Sequence, residues 1–351
     1  NFATRAFETG HATTASAAVS GGNPLVSYYA SGRVYDENGP FNPKAFDYPF
    51  GNPATKPGIR SNDVARRYHG DVALGLSPWQ VLRLNVRALY ADAHNEVPDN
   101  NNSIYAPFTL LMFSKPERAE CDLSRTSPTD PTNGVVSPEH CLAAGNPTGA
   151  SSFGTVREVL QRSITQDARH FNGVLNTRYL PSANLNVDAT FGVDFTSQRS
   201  TGFLTFANNI DLRTNQANNG DKSVDDRTHQ EITLSTNATW NRDLFKSLNS
   251  SLLFGAQGFL TRDNDESCNN QGFPGPGIEV CNGGSGPQVF EVYTQIVNAG
   301  YFFQEQLGFN DWVFGTVGGR YDKNSAFGAN TAGVFYPKAS LSIIPSDRGG
   351  W

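Results

Sequence analysis

The chain has 351 residues, enough for one large or two ordinary domains. Its formal net charge is −6 with no basic run, which argues against a nucleic-acid binder. Hydrophobic residues make up 38%, too few for a thick dry core, and no apolar run reaches the ~18 residues of a membrane-spanning helix. Aromatics make up 11%, with 24 Phe and 12 Tyr, beside 34 Gly and a single Met, a mix that suits strands and turns better than helices. No signal peptide is visible, and the ends at Asn1 and Trp351 are expected to be cuts in a longer chain.

Residues 12–20 and 25–35 form the first expected hairpin, joined by Gly21-Gly22-Asn23-Pro24. In its second strand Val26, Tyr28, Ala30 and Val34 share one face, while Ser27, Tyr29, Ser31 and Arg33 take the other. A loop over 37–62 follows, rich in Pro, Gly and Asn. Residues 66–76 and 80–92 make the second pair around Ser77-Pro78-Trp79. There Tyr68, Val72, Leu74 and Leu76 oppose Arg67, His69 and Asp71, and Leu82, Leu84, Val86, Ala88 and Tyr90 oppose Arg83, Asn85 and Arg87. The connection over 94–163 is too long for an ordinary loop, and short helices are expected at Ser137-Pro138-Glu139 and over 155–163.

The third pair, 167–179 and 184–198, holds the cleanest alternation. Leu185, Val187, Ala189, Phe191, Val193 and Phe195 oppose Asn186, Asp188, Thr190, Asp194 and Thr196. A loop over 199–226 leads to the fourth pair, 228–240 and 248–262, and a loop over 263–287 follows. Three strands close the chain: 288–306, 311–322 and 333–344, with a short turn over 307–310 and an outer loop over 323–332.

Eleven strands result, several of 11 to 15 residues. Soluble strands usually hold about 5 or 6, whereas a tilted membrane-crossing strand needs about 9–11. Connections alternate short and long along the whole chain, as in an antiparallel meander with short periplasmic turns and long outer loops. Trp240, Tyr179, Tyr90 and Tyr321 sit at strand ends on the apolar face, where barrels carry interfacial aromatic girdles. The expected fold is therefore all-β: an antiparallel up-and-down transmembrane β-barrel. Eleven strands cannot close as a bacterial barrel, and open edges are not viable in lipid. The chain is thus expected to be about half of a barrel of the 22-stranded kind, with residues 1–351 all wall. A soluble β-sandwich, whose strands also alternate, is the competing architecture.

The stretch over 300–342 carries Tyr301-Phe302, Arg320-Tyr321-Asp322, Ser325-Ala326-Phe327-Gly328 and Tyr336-Pro337. With Ser20-Gly21-Gly22 and the strand around Tyr28 near the start, it resembles the barrel of SusC/RagA-like TonB-linked outer-membrane receptors. The resemblance touches both ends, and the strand rhythm between them fits. It implies a 22-stranded barrel in the outer membrane, filled by an N-terminal plug and coupled through a TonB box to the TonB–ExbB–ExbD machinery. A SusD-like surface lipoprotein would cap it and help capture glycans or peptides. Plug, TonB box and remaining strands are absent from this chain.

No catalytic constellation is present: there is no H-E-x-x-H, no Walker loop and no G-x-S-x-G. A non-enzymatic protein without cofactor or metal is expected. Cys121, Cys141, Cys268 and Cys281 contain no C-x-x-C and fall in loops placed outside the cell. Within-loop pairs Cys121–Cys141 and Cys268–Cys281 are the expectation, among three possible connectivities. Arg33, Arg67, Arg83, Arg87, Arg178, Asp188, Asp194, Glu231, Arg320 and Asp322 are expected on the lumenal face. They serve there either as mutually paired filling or as a surface for plug or substrate. Phe41, Tyr48, Phe50, Tyr105 and Phe108 are loop aromatics that could stack on a ligand or on one another. Acidic clusters at 221–226 and 263–266 read as solvated loops. The function expected is energy-coupled import of a large polar nutrient such as an oligosaccharide or peptide. A passive porin-like channel and a β-sandwich adhesin are the alternatives.

Overall fold

Side chains alternate across a strand, so a meander of amphipathic strands must assemble with every apolar set on one face. A computed structural model describes residues 6–46, 59–99, 106–113, 159–206, 219–328 and 332–348. Its strands are β1 (His11–Gly22), β2 (Val26–Asn38), β3 (Val64–Trp79), β4 (Leu82–Glu96), β5 (Ser163–Ser182) and β6 (Leu185–Leu204). They continue as β7 (Asp221–Phe245), β8 (Leu248–Gln271), β9 (Gln288–Phe309), β10 (Val313–Asn324) and β11 (Val334–Ile343). All eleven lie in one sheet in sequence order, each antiparallel to the next, and β1 and β11 are its two open edges. A sandwich needs a second sheet against the apolar face. None exists among the described residues, and the sandwich architecture is set aside.

Five connections hold only two or three residues, and every other one holds nine or more. The short ones carry their own turn chemistry. Asn23 Oδ1 accepts from the backbone N–H of Leu25 at 2.8 Å and of Val26 at 3.0 Å, an Asx-type closure of the first hairpin. Asn310 and Asp311 have φ of 47° and 60° and lie between Phe309 C=O and the Trp312 N–H it accepts. Two consecutive left-handed residues make a type I′ turn, whose twist matches that of the flanking strands. The turn thus falls slightly later than the sequence pattern suggests.

The apolar face is open. Leu234 is 55% exposed, Phe254 57% and Tyr301 62%, although all lie mid-strand. Tyr90, Phe171 and Phe195 stand in one row across β4, β5 and β6. The next row outward on the same face is Asp92, Arg169 and Ser197, with Arg169 Nε 3.2 Å from Asp92 Oδ2. The surface changes from aromatic to charged within one row. At the other end stand Tyr179 on β5 and Trp240 on β7. Phe171 and Tyr179 are eight residues apart. At ~3.3 Å per residue that is about 26 Å, the height of the apolar band of a membrane barrel. Glu305 is an exception on this face; near the short-turn end of β9, it accepts from Ser250 Oγ at 2.6 Å.

Beyond the band the strands do not stop where the sequence pattern fades. β5 to β9 run 20 to 25 residues, extending past the expected ends at 198, 228 and 262. The acidic runs at 221–226 and 263–266, expected in loops, lie on the paired strands β7 and β8, where their registers meet only at Asp226 and Glu266. There most residues are polar on both faces and the period-2 signal is lost, although Phe203, Leu204 and Val224 are buried. Backbone ladders and cross-strand ion pairs hold the extension: Arg199–Asp226 at 3.0 Å, Arg227–Asp265 at 3.1 Å and His229–Asp263 at 2.7 Å.

Buried apolar residues gather at the outer ends. Ala6, Phe41, Leu110, Leu111, Val159 and Leu160 form one cluster, with Ile59 and Phe108 packed against it. Leu110 and Leu111 come from α1 (Pro107–Phe113), a helix of 7 residues too short to betray itself by periodicity. The helix expected at 137–139 lies outside the described residues, as do residues 155–158 of the one over 155–163; Val159 and Leu160 of the latter are buried.

Candidate functional site

Register decides which polar residues share a face. Arg83 pairs with Arg178, Arg178 with Asp188, and the row continues through Asn237, Gly255 and Phe302 to Arg320. A second row runs from Arg33 through His69, Ala91, His170, Thr196 and His229 to Asp263. Asp194 stands opposite Glu231. Arg33, Arg67, Arg83, Arg87, Arg178, Asp188, Asp194, Glu231, Arg320 and Asp322 therefore occupy one face, opposite the apolar band. Their common placement follows from strand parity; their partners do not.

Those partners divide the face in two. On β5 to β8 most charges are matched: Arg178–Asp188 at 2.8 Å, His170–Asp194 at 2.9 Å, and Arg162, just before β5, bidentate on Asp221 at 2.7 Å, while Glu231 accepts only from Thr233 at 3.4 Å among the described residues. Asn172 adds a bond to Asp194 at 2.8 Å. On β2 to β4, Arg33, Arg67, Arg83 and Arg87 are exposed, and none has an ion pair among the described residues. Arg67 instead lies over the Tyr35 ring at 5.5 Å. Three of the five described histidines, His94, His170 and His229, scattered in the sequence, meet carboxylates in space. Strand parity together with turn-fixed register is the only sequence signal that could have shown it.

A recess of about 280 Å³ opens on the same face between β8 and β11. Arg320 anchors it. Its Nε donates to both oxygens of Asp322 at 2.8 Å, its Nη1 to Gln257 Oε1 at 2.8 Å, and its guanidinium lies 5.7 Å from the Phe302 ring centre. Gly300 makes room for this arrangement, since a Cβ there would stand 1.9 Å from Asp322 Oδ1. Asn298, Asn324 and Tyr336 complete a rim of amides and a phenol, groups that suit neutral polar ligands. Among the described residues no group of three or more His, Cys, Asp or Glu could hold a metal ion.

Outer loops carry the remaining candidates. Cys268 and Cys281 are bonded to each other, with Cα atoms 6.3 Å apart. Cys268 sits on β8 rather than in a loop, because that strand runs on to Gln271. Phe41 is 5% exposed, and its ring packs on Phe108 at 5.6 Å and Phe7 at 6.3 Å. Phe108 is partly buried beside it and stacks on Phe7 at 5.5 Å. Both rings contribute to the loop cluster. Tyr48, Phe50, Tyr105, Cys121 and Cys141 lie outside the described residues.

One cluster predicts a pH response outside the band. At the outer end of β4, His94 Nδ1 is 2.7 Å from Asp167 and Nε2 3.0 Å from Glu96. The bond to Asp167, then that to Glu96, raises the imidazole above its ordinary value against a smaller effect of burial. A raised histidine stabilises fully below its unfolded value of about 6.5 and loses that contribution as pH rises through the folded value. Between about pH 6 and about pH 9, amide protection at the outer ends of β4 and β5, taken relative to the intrinsic base-catalysed exchange rate at each pH, is expected to fall while that of the band around Tyr90 and Phe171 stays unchanged. His94→Ala should abolish the difference. A pH response that persists in the variant counts against this origin.

No protein-family model matches the chain, and no curated protein sequence matches it. Solved structures do. The chain is similar to the RagAB peptide transporter with a TM-score of 0.64 and 14% identity, over 96% of this chain and 34% of that one. Against the RagAB peptide importer in its open-open state the TM-score is 0.63 at 17% identity, and in its closed-closed state 0.62 at 16%, with the same coverage. The chain thus spans about a third of the length of these relatives. An open antiparallel sheet of eleven strands, apolar on one face and charged on the other, therefore shares the fold of that third of the RagAB peptide transporter.

Proposed function

We propose that this chain is wall of a TonB-dependent receptor in the outer membrane of a Gram-negative-type bacterium, and that the whole receptor imports a large polar nutrient. The observation that supports it most is the exposed apolar face, bounded by aromatics about 26 Å apart and backed by a charged inner face on a sheet with two open edges. The apolar face meets lipid, the charged face lines the lumen, the short turns are periplasmic and the long ends face outward. Further strands close the barrel, and a plug domain gates it and couples it to TonB–ExbB–ExbD. The cargo is a peptide or an oligosaccharide, with a SusD-like surface lipoprotein as the capturing partner; likeness to a peptide transporter favours the peptide. The wall conducts and performs no catalysis.

The test is uptake by cells that carry the full-length receptor. Import of a mixed oligopeptide pool should require the receptor and stop when TonB is deleted. Receptor-dependent uptake that survives loss of TonB identifies a passive channel instead. A receptor that fractionates with soluble protein, and whose gel mobility is unaltered by heating, removes the barrel reading altogether.

A further inference from the structure

We infer that Arg33, Arg67, Arg83 and Arg87 form a guidance strip on the lumenal wall for a cargo carrying carboxylates along an extended chain. This rests on the barrel reading above and adds the charge of the cargo to it. The reason lies in which arginines are satisfied. On the lumenal face Arg162, Arg178, Arg227 and Arg320 each hold a carboxylate. On the opposite face Arg66, Arg169 and Arg199 do so as well, Arg262 bonds Gln230 and Gln295, and Arg242 lies over the Trp240 ring. The four of the strip, all on β2, β3 and β4, have no carboxylate oxygen within 4.0 Å among the described residues.

Unpaired like charges on adjacent strands repel, and the same wall shows that pairing was available to the fold. Glu37 and Asp71 share this part of the face. Glu37 accepts the Tyr35 hydroxyl, and neither forms an ion pair with the strip. Across the lumenal face Asp188, Asp194, Asp221, Asp263 and Asp265 are occupied by arginine or histidine. Most of the acidic side is thus matched by its own cations, with Glu231 accepting only from Thr233 at 3.4 Å among the described residues, while the basic side remains open to anions. A lumen walled by low-dielectric material focuses such a field, and arginine lines anion-selective pores.

The strip also has a direction. Counted from the periplasmic turns, Arg83 is the second residue of β4 and Arg87 the sixth, Arg33 is the eighth of β2, and Arg67 lies on β3 beyond the row of Tyr90. It climbs from one rim of the apolar band past the other. Arg83 and Arg87 are four residues apart on a strand, ~13 Å. An extended peptide places side chains on one side every ~7 Å, so carboxylates four residues apart match that interval. Guanidinium forks grip carboxylates in bidentate fashion, and the phenol of Tyr35 beside Arg67 adds a further polar contact.

Binding to the purified full-length receptor in detergent tests it. The probes are labelled peptides of alternating Glu and Ser, Gln and Ser, or Lys and Ser, and, for the other source of carboxylates, oligogalacturonate against a neutral hexose oligomer. Wild type is expected to bind at least one acidic probe about tenfold or more tighter than its neutral counterpart, and less tightly as salt rises. Replacing all four arginines by Gln should remove that preference, and replacing them by Lys should retain part of it. Single changes, each costing about two- to fivefold, cover the case where the quadruple variant does not fold. Arg178→Gln, a paired arginine on the same face, should leave the preference in place. Equal affinity for charged and neutral probes in wild type overturns the inference, as does a preference that survives the quadruple Gln change. Loss of protease protection of the plug in that variant, with no charge preference in wild type, assigns the strip to plug docking and likewise overturns it. TonB-dependent uptake without charge preference refutes the strip and leaves the receptor reading standing.

Discussion

Leu234→Arg is expected to remove about 2–4 kcal/mol of folding stability in a lipid bilayer, the cost of an arginine near the midplane of a barrel's lipid face. Leu234 lies in one row with Phe191 and Gly258, four residues outward of Ala238 and six of Trp240. It is 55% exposed in the isolated sheet. That exposure gives the substitution its meaning. At a water-exposed site of a soluble protein the same change stays within about 0.5 kcal/mol of neutral. The neighbouring Ser235 pairs with Gln257 on the lumenal face, so Ser235→Arg is expected to be nearly neutral. Urea-driven unfolding of the full-length receptor in phospholipid vesicles measures both. Equal effects of the two substitutions are incompatible with lipid on one face only.

Loss of the Cys268–Cys281 bond should destabilise the outer end of β7 and β8 by about 3 kcal/mol, the scale for opening a short covalent loop. The segment it closes is tied down by more than the bond. Phe273 is fully buried, with its ring 6.1 Å from Phe203. Glu279 reaches Arg60 at 3.1 Å, and its carbonyl accepts from Lys222 Nζ at 2.5 Å. Asn270 accepts from Gly286 N–H at 3.1 Å and donates to the Cys281 carbonyl. These contacts depend on the two ends being held together, so Cys268→Ser with Cys281→Ser should free the segment as a unit. Hydrogen exchange is expected to rise over 268–287 and at the first residues of β7, and to stay slow at Leu234 and Leu260. Unchanged exchange at 268–287 would show that the packing alone suffices.

How far the sequence revealed this structure depended on what each residue faces. From Val187 to Phe195 one face meets an apolar surrounding and the other a polar one, so the alternation is complete and the strand was legible. From Asp221 to Arg227 both faces are polar apart from the buried Val224. Nothing in the chemistry of Asp221, Lys222, Asp225 or Asp226 distinguishes a strand from a loop, and seven residues of β7 were missed there. The shared face of Arg33, Arg178 and Arg320 followed from parity alone. Their partners required register, which turn geometry and the bulges near Trp79, Ser182 and Phe245 set. For that reason Arg178 and Arg87 looked equivalent in sequence and are not so in space. His170 and His229 fall in one row only after two strand pairings have been placed in order. Phe41 was legible as a sticky loop residue. Its partners Phe7 and Phe108 come from segments far apart in the chain, which no local pattern reports.

Collision accessibility of spin labels placed singly from residue 187 to residue 195 reports which face of β6 meets lipid. Labels at 187, 189, 191, 193 and 195 should be reached by oxygen, which concentrates in lipid, and shielded from a water-soluble nickel complex. Labels at 188, 190, 192 and 194 should show the reverse. Nickel access at every position would place both faces of β6 in water. Odd positions closed to both reagents would mean that protein covers the apolar face. Either result would contradict a lipid-facing wall.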